Sequence, residues 1–443
     1  MKKIRIGSGA GYGGDRLEPA ILLMQEGGLN YIAFECLAER TIALAQKEKQ
    51  RNPEKGYNHL LEYRMEKVLP LASKHKIKVI TNMGAANPIQ AMKVTGEIAK
   101  KLGVSGLKIA AVCGDDVLHI LNENTHLNIL ENREPLSSIS NIMISANAYL
   151  GTTGIVEALN NGANIIITGR VADPSLFLAP MIYEFGWEMD DYAKLGKGTL
   201  VGHLLECAGQ ICGGYFADLQ QKQVPNLWNI GFPFAEVDEH GEGFISKVKG
   251  TGGLINRATC TEQLLYEIHD PAQYITPDCV ADFSNVTFEL LGPDKVKFDH
   301  ASGAPPTDFY KVSVGYFNGY YGEGQISYGG NDCVNRAKLA GEIVKARLKD
   351  LNCVDFRIDL IGLNSINPFQ TVSQDISEVR LRVSAKTDTF AMAQLIGQEV
   401  ETLYTNGPAG GGGATKQTEE VISVLSVLLP KLGIQHHIEY LNL

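Results

Sequence analysis

Short apolar segments alternate with amphipathic ones through the first half of the chain, and this alternation limits the fold more than any other feature. Residues 4–6, 31–34, 78–82, 108–113 and 164–168 read as strands, and 17–25, 64–74, 88–102 and 147–160 have helical spacing between them. Asp15 is placed to cap the first helix, and Asn87-Pro88 and Gly103 start and stop the third. Strands this short and apolar, separated by helices, predict a parallel sheet covered on both faces, a Rossmann-like α/β arrangement. Such sheets bind ligands beyond the carboxyl ends of their strands. Those ends carry the most chemically loaded loops: Gly9 to Gly14, Glu35-Cys36, Asn82 to Asn87, Cys113 to Asp116, and Gly169 to Asp173.

At 443 residues the chain exceeds what one core normally covers. The composition changes near 229–243, predicting an α/β domain over 1–235 and an α+β domain over 236–443. The second half reads as strands near 286–291, 295–298, 310–316, 355–361 and 378–385, with helices near 259–268, 332–349, 388–403 and 415–429. Gly410 to Gly413 then stands at a helix start, where exposed N–H groups of Gly411 and Gly412 would seat an anion, unless the run is a mobile lid or a simple linker. Walker lysine spacing is absent, because Lys416 comes three residues after the last glycine.

Forty basic against fifty acidic residues give a net charge of −10, without a long Lys/Arg cluster, which argues against nucleic acid or an anionic membrane as partner. No uncharged apolar run is long enough to span a bilayer. Met1-Lys2-Lys3-Ile4 turns directly into a strand without an apolar leader, so a cytoplasmic location is expected. The eight cysteines form no Cys-x-x-Cys pair and read as packed thiols; Cys36, beside Glu35, has no histidine neighbour in sequence to activate it.

The segment 203–214 adds a candidate acid/base site. If 203–210 is helical, His203, Glu206, Cys207 and Gln210 share one face. Gly9-x-Gly11-x-x-Gly14, with Glu35 closing the next strand, formally matches a dinucleotide fingerprint and raises an NAD-dependent oxidoreductase as the rival reading. Against it, Gly7-Ser8 precede the match and the negative Asp15 stands where a pyrophosphate would lie.

Several motifs resemble the acyclic terpene utilisation protein A (AtuA) family: Ile6 to Arg16, Phe34 to Thr41, Lys55-Gly56-Tyr57, Thr81 to Pro88, Gly169 to Asp173, Gly202 to Gly214, and Gly407 to Gly413. The resemblance runs over essentially the whole chain. It implies catabolism of branched carboxylic acids, such as mesaconate and citramalate, or of their CoA thioesters. It also implies a small ferredoxin-like domain or companion subunit; none is readable in this chain, so a separate partner is expected, alongside a homo-oligomer.

The chemistry that fits is that of a lyase, foremost a hydro-lyase, with Glu35, His203, Glu206 and Asp115 as acid/base groups. Arg170 is expected to clamp a carboxylate through two parallel bonds, unless it pairs only with Asp173. Asn82, Asn87, Gly11, Gly13, Gly411 and Gly412 complete the expected substrate contacts. No cofactor is required; a divalent metal, if used, would sit at Asp115, Asp116 and Asp173. The same groups also suit a carbon–carbon lyase acting on a 3-hydroxyacyl-CoA, and a non-catalytic subunit of a carboxylate-processing complex would carry the same motifs.

Overall fold

The computed structural model describes residues 2–367 and 376–443. Two compact units divide the chain, one comprising 1–315 with 424–443 and the other 316–423. In the first, β1 (Lys3–Ala10), α1 (Glu18–Glu26), β2 (Tyr31–Phe34), α2 (Glu39–Arg51), α3 (Leu61–His75), β3 (Lys78–Thr81), α4 (Pro88–Lys101) and β4 (Lys108–Cys113) follow in order. Next come α5 (Leu118–Glu123), β5 (Met143–Ala148), α6 (Thr153–Asn160), β6 (Ile165–Thr168), α7 (Ser175–Phe185) and α8 (Tyr192–Leu205). Then β7 (Pro233–Asp238), β8 (Gly243–Lys247), α9 (Arg257–Leu265), β9 (Tyr274–Ile275), β10 (Val280–Asp282), β11 (Thr287–Gly292), β12 (Lys295–Asp299) and β13 (Ser302–Ala304) complete its central stretch. The strand β14 (Phe309–Gly329) leads into the second unit, which holds α10 (Cys333–Arg347), β15 (Val354–Ile361), β16 (Glu378–Thr387), α11 (Phe390–Glu401) and α12 (Leu403–Asn406). The chain returns to the first unit along β17 (Gly411–Pro430) and closes with β18 (His437–Asn442).

The first unit is built on a ten-stranded sheet of order β11-β12-β8-β7-β1-β2-β3-β6-β4-β18. Its middle run, β1-β2-β3-β6-β4, is parallel throughout, and antiparallel strands extend it on both sides. Side chains alternate across the sheet, so each strand feeds two cores. Ile32, Phe34, Val79, Ile109, Ile165 and Ile167 join the core that α1, α3 and α4 cover. Tyr31, Ala33, Ile80, Ala110, Val112 and Ile166 join the core that α6, α7 and α8 cover. Helices on both faces are therefore present, as the sequence predicts.

The Rossmann strand order is not. In that order β1 lies between two parallel neighbours at a topological switch point; here β1 has parallel β2 on one side and antiparallel β7 on the other. The division expected at 235/236 falls inside β7, which pairs with both β1 and β8. The polar and glycine-rich stretch at 236–243 is the end of β7, the hairpin turn at 239–242 and the first residue of β8.

The second unit packs α10 and α11 on a sheet containing β14, β15 and β16, around Ile326, Val344, Leu381, Val383, Ile396 and Val400. The helix expected at 415–429 is instead part of β17. Val421, Ile422, Val424 and Val427 are β-branched and favour an extended chain, although their spacing also satisfies a helical pattern. The helix expected from residue 147 starts at Thr153, because Met143–Ala148 is already β5.

Candidate active site

The parallel run brings four of the expected loops to one edge: Gly11 and Gly13 after β1, Glu35 after β2, Asn82 after β3, and Arg170 after β6. Beside them lies a cavity of about 390 Å³ lined by Gly11, Gly13, Glu35, Arg170, Glu206 and Cys207, among others. Gly11 permits a backbone crossing, since a Cβ there would stand 2.5 Å from the Cys207 carbonyl carbon and 2.6 Å from its oxygen. That contact ties the loop after β1 to the end of α8.

Glu35 is buried, and one of its oxygens is fixed. Its Oε1 accepts from Leu37 N (2.8 Å) and from Asn82 Nδ2 (2.9 Å), while Asn82 Oδ1 accepts from Cys36 N (2.7 Å). Asn82 therefore orients the carboxyl and the loop that carries it, and does not line the cavity. Burial pushes Glu35 up to about 7, against the pull of Arg170, Leu37 N and Asn82. A carboxyl that titrates near neutrality suits proton transfer.

Arg170 is fully buried and four of its five N–H donors are taken. Nε and Nη2 donate to Val171 O, Nη1 donates to Leu37 O, Nη2 also bonds Asp173, and the guanidinium stacks 4.4 Å from the Tyr149 ring. The expected two-bond clamp on a substrate carboxylate is thus not available, and the ion pair with Asp173 stands in its place. Arg170 acts on the two buried glutamates instead, pulling both Glu35 and Glu206 toward ionisation.

The helix carrying His203 ends at Leu205, and Ala208 turns left-handed at φ 45°, so the expected single face through Gln210 does not form. Glu206 and Cys207 line the cavity; Gln210 does not, and neither does His203. His203 lies behind Glu206, with Nδ1 2.8 Å from Glu206 Oε1 and Nε2 3.1 Å from Leu264 O, and its ring stacks on Phe283. A carbonyl only accepts, so Nε2 carries hydrogen and Nδ1 shares a proton with Glu206. Glu206 Oε2 is buried without a partner. Burial raises Glu206 despite the counter-pull of His203; burial alone would lower His203, but the Glu206 charge and bond leave it raised. The pair shares one proton behind an oxygen with no other partner.

Asp115 lies outside the cavity. Its Oδ2 accepts from Arg170 N (2.9 Å) and Asn147 Nδ2 (2.8 Å), so it holds the Arg170 loop in place, and burial raises it to about 6. Asn87 likewise serves the fold, capping α4 and donating to Pro53 O and Lys55 O. Gly411 and Gly412 open β17 in the other unit; no helix starts there, so the anion seat inferred from a helix N-terminus is lost. The aspartates expected to take a metal have separate partners, Asp116 accepting from Gln46 and Asp173 pairing with Arg170. Among the described residues no group of three or more His, Cys, Asp or Glu side chains is placed to hold a metal.

The dinucleotide reading also loses its footing. Gly9 lies within β1 against the Phe34 ring, Leu17 rather than Asp15 precedes α1, and Asp15 Oδ2 occupies the Gly11 N–H at 2.9 Å. Cys36 is a packed thiol: Arg64 Nη1 donates to its sulfur at 2.9 Å, and burial pushes it up to about 12.

Sequence reasoning passes over Tyr149, Glu39, Glu267 and Lys311, which also line the cavity. Glu39 is the one a signal reaches, since it lies in the Phe34 to Thr41 motif. Burial pushes Glu39 up, but bonding from Tyr149 and the Lys311 charge outweigh it and hold it at about 2. The walls thus carry five acids, Glu35, Glu39, Asp173, Glu206 and Glu267, against two cations, Arg170 and Lys311.

No helix among the described residues is long and apolar enough to cross a membrane. No curated protein and no solved structure matches the chain. The model of the acyclic terpene utilisation family AtuA matches residues 4–440, and the chain belongs to that family.

Proposed function

We propose that the protein is a hydro-lyase acting on the thioester of a branched 2-enoic or 3-hydroxy acid. The observation that carries this reading is the pair of buried glutamates, Glu35 and Glu206, facing one cavity with an arginine acting on both. In hydration, Glu35 takes a proton from water, the hydroxide oxygen bonds the β-carbon, and the double-bond pair moves into the thioester carbonyl. The Glu206–His203 pair then delivers a proton to the α-carbon. Dehydration runs the same steps backwards: the Glu206–His203 pair takes the α-proton, and Glu35 protonates the leaving hydroxyl.

The charge of the walls favours the thioester over the free di-acid. Even leaving Glu35 and Glu206 aside, three acids stand against two cations, and Arg170 keeps a single N–H beyond those given to Val171, Leu37 and Asp173. A dicarboxylate such as mesaconate or citramalate would be repelled at this range, whereas a thioester brings its reacting carbons in uncharged. The test is incubation of the protein with C3-branched 2-enoyl and 3-hydroxyacyl thioesters in deuterated water, with mass spectrometry of the α-carbon. Deuterium incorporation that Glu35→Gln and Glu206→Gln both abolish is expected; absence of exchange with every thioester, while the free acids exchange, overturns the assignment.

A further inference from the structure

A second hollow, of about 290 Å³, opens beside the acid cavity, and the two share Tyr12, Gly13, Leu37 and Thr41 as walls. Its character is different. Leu37, Leu44, Ala45, Tyr57 and Ala85 line it, together with the Cys36 segment, whose thiol stays neutral. Glu48 and His59 also line it and are both solvent-exposed. Tyr12 is 63% exposed and Leu44 42% exposed, so apolar surface that would gain from a cover is left in water at the junction. Neither Glu35, Arg170 nor Glu206 reaches this hollow.

We infer that this bay holds a hydrocarbon chain of the substrate whose reacting carbons lie in the acid cavity. The inference rests on the reading of that cavity as the reacting end. The shared walls let one molecule occupy both parts, bent or branched at Tyr12 and Leu37. At roughly 30 Å³ for a water-sized group, the bay accepts a chain of about ten such groups. The ligand is therefore amphipathic, with an oxygenated head among the glutamates and an unsubstituted tail beside α2. The segment 41–48 of α2 supplies Thr41, Leu44, Ala45 and Glu48 to the bay and is the element that sets chain length.

Binding separates this inference from the proposed reaction, because it needs no turnover. Straight-chain 2-enoic thioesters of four to ten carbons are titrated calorimetrically into the Glu35→Gln protein, which cannot complete the reaction. Each added methylene is expected to tighten binding about fourfold until the bay is full. Ala45→Trp fills the bay, and Leu44→Glu, at an exposed position, places a charge at its mouth. Both are expected to abolish the gain with length while leaving four-carbon affinity unchanged. Affinity independent of chain length, or a length dependence that both variants retain, overturns the bay. A length dependence without deuterium exchange in the unmodified protein leaves the bay standing and removes the hydro-lyase reading instead.

Discussion

Replacing Glu35 by Gln removes a titration whose size and direction the burial of the site fixes. In the folded chain Glu35 keeps its proton up to about pH 7, whereas unfolded it loses it near its ordinary value of 4.5. Between those two values the folded state binds one proton more than the unfolded state, so stability falls as pH rises, by roughly 1.4 kcal/mol per pH unit. The contribution is fully present below pH 4.5 and lost above about 7, a difference of about 3 kcal/mol across the window. Gln keeps the acceptor that Leu37 N and Asn82 Nδ2 use and has nothing to titrate. Relative to the unmodified protein, Glu35→Gln should therefore gain stability progressively from pH 4.5 to 8, by about 3 kcal/mol at the upper end. Asp115 follows the same sign between 3.8 and about 6, but it is present in both proteins and cancels in the difference. Urea unfolding of both proteins at successive pH values is the assay. Parallel stability curves would refute the burial argument, and with it the claim that Glu35 is poised for proton transfer near neutrality.

Two further substitutions probe the site. His203→Asn leaves Glu206 without a group that can share its proton, so exchange per folded molecule should fall about 100-fold and the pH profile should shift, with KM little changed; a loss of about 1–3 kcal/mol in stability with normal exchange per folded molecule would mark His203 as structural only. Gly11→Ala drives a Cβ to within 2.5 Å of the Cys207 backbone. It should cost about 1–3 kcal/mol and lower exchange by displacing the loop after β1, read by thermal melting and turnover together; an unperturbed melt would show that the loop and the end of α8 are not held in contact.

The loop set is legible because period and position coincide. Short β-branched runs such as Ile165–Thr168 fit strands buried on both faces, and a parallel array places all their carboxyl ends on one edge. That rule alone finds Glu35, Asn82 and Arg170. The flanks are not legible for a matching reason: β7 and β8 are half-polar hairpin strands, and Glu236 to Gly243 has the composition of a linker whether it joins strands or domains. β17 shows the limit of pattern reading, since a twenty-residue run with apolar pairs three and four apart fits both periods, and only pairing partners far away in sequence decide. Lys311 and Glu267 reach the cavity from elements with no local mark of function, so nothing short of the fold identifies them.

Arg170 carries the more general lesson about what a motif reading assigns. An arginine at a strand end beside acidic residues has the chemistry to hold a carboxylate, and its type alone cannot say whether its donors are committed. Here Val171 O, Leu37 O and Asp173 commit four of the five, and the buried charge works through the field it imposes on Glu35 and Glu206. A guanidinium so fixed costs no reorganisation when charge develops near it, which is the condition under which a buried cation stabilises a transition state rather than a ground state. Removing it as a clamp also changes what the cavity can admit. With the arginine committed and five acids on the walls, selection passes to ligands that present an uncharged reacting end and gain their affinity elsewhere, and the apolar bay walled by Leu37, Leu44 and Ala45 is where that affinity is available.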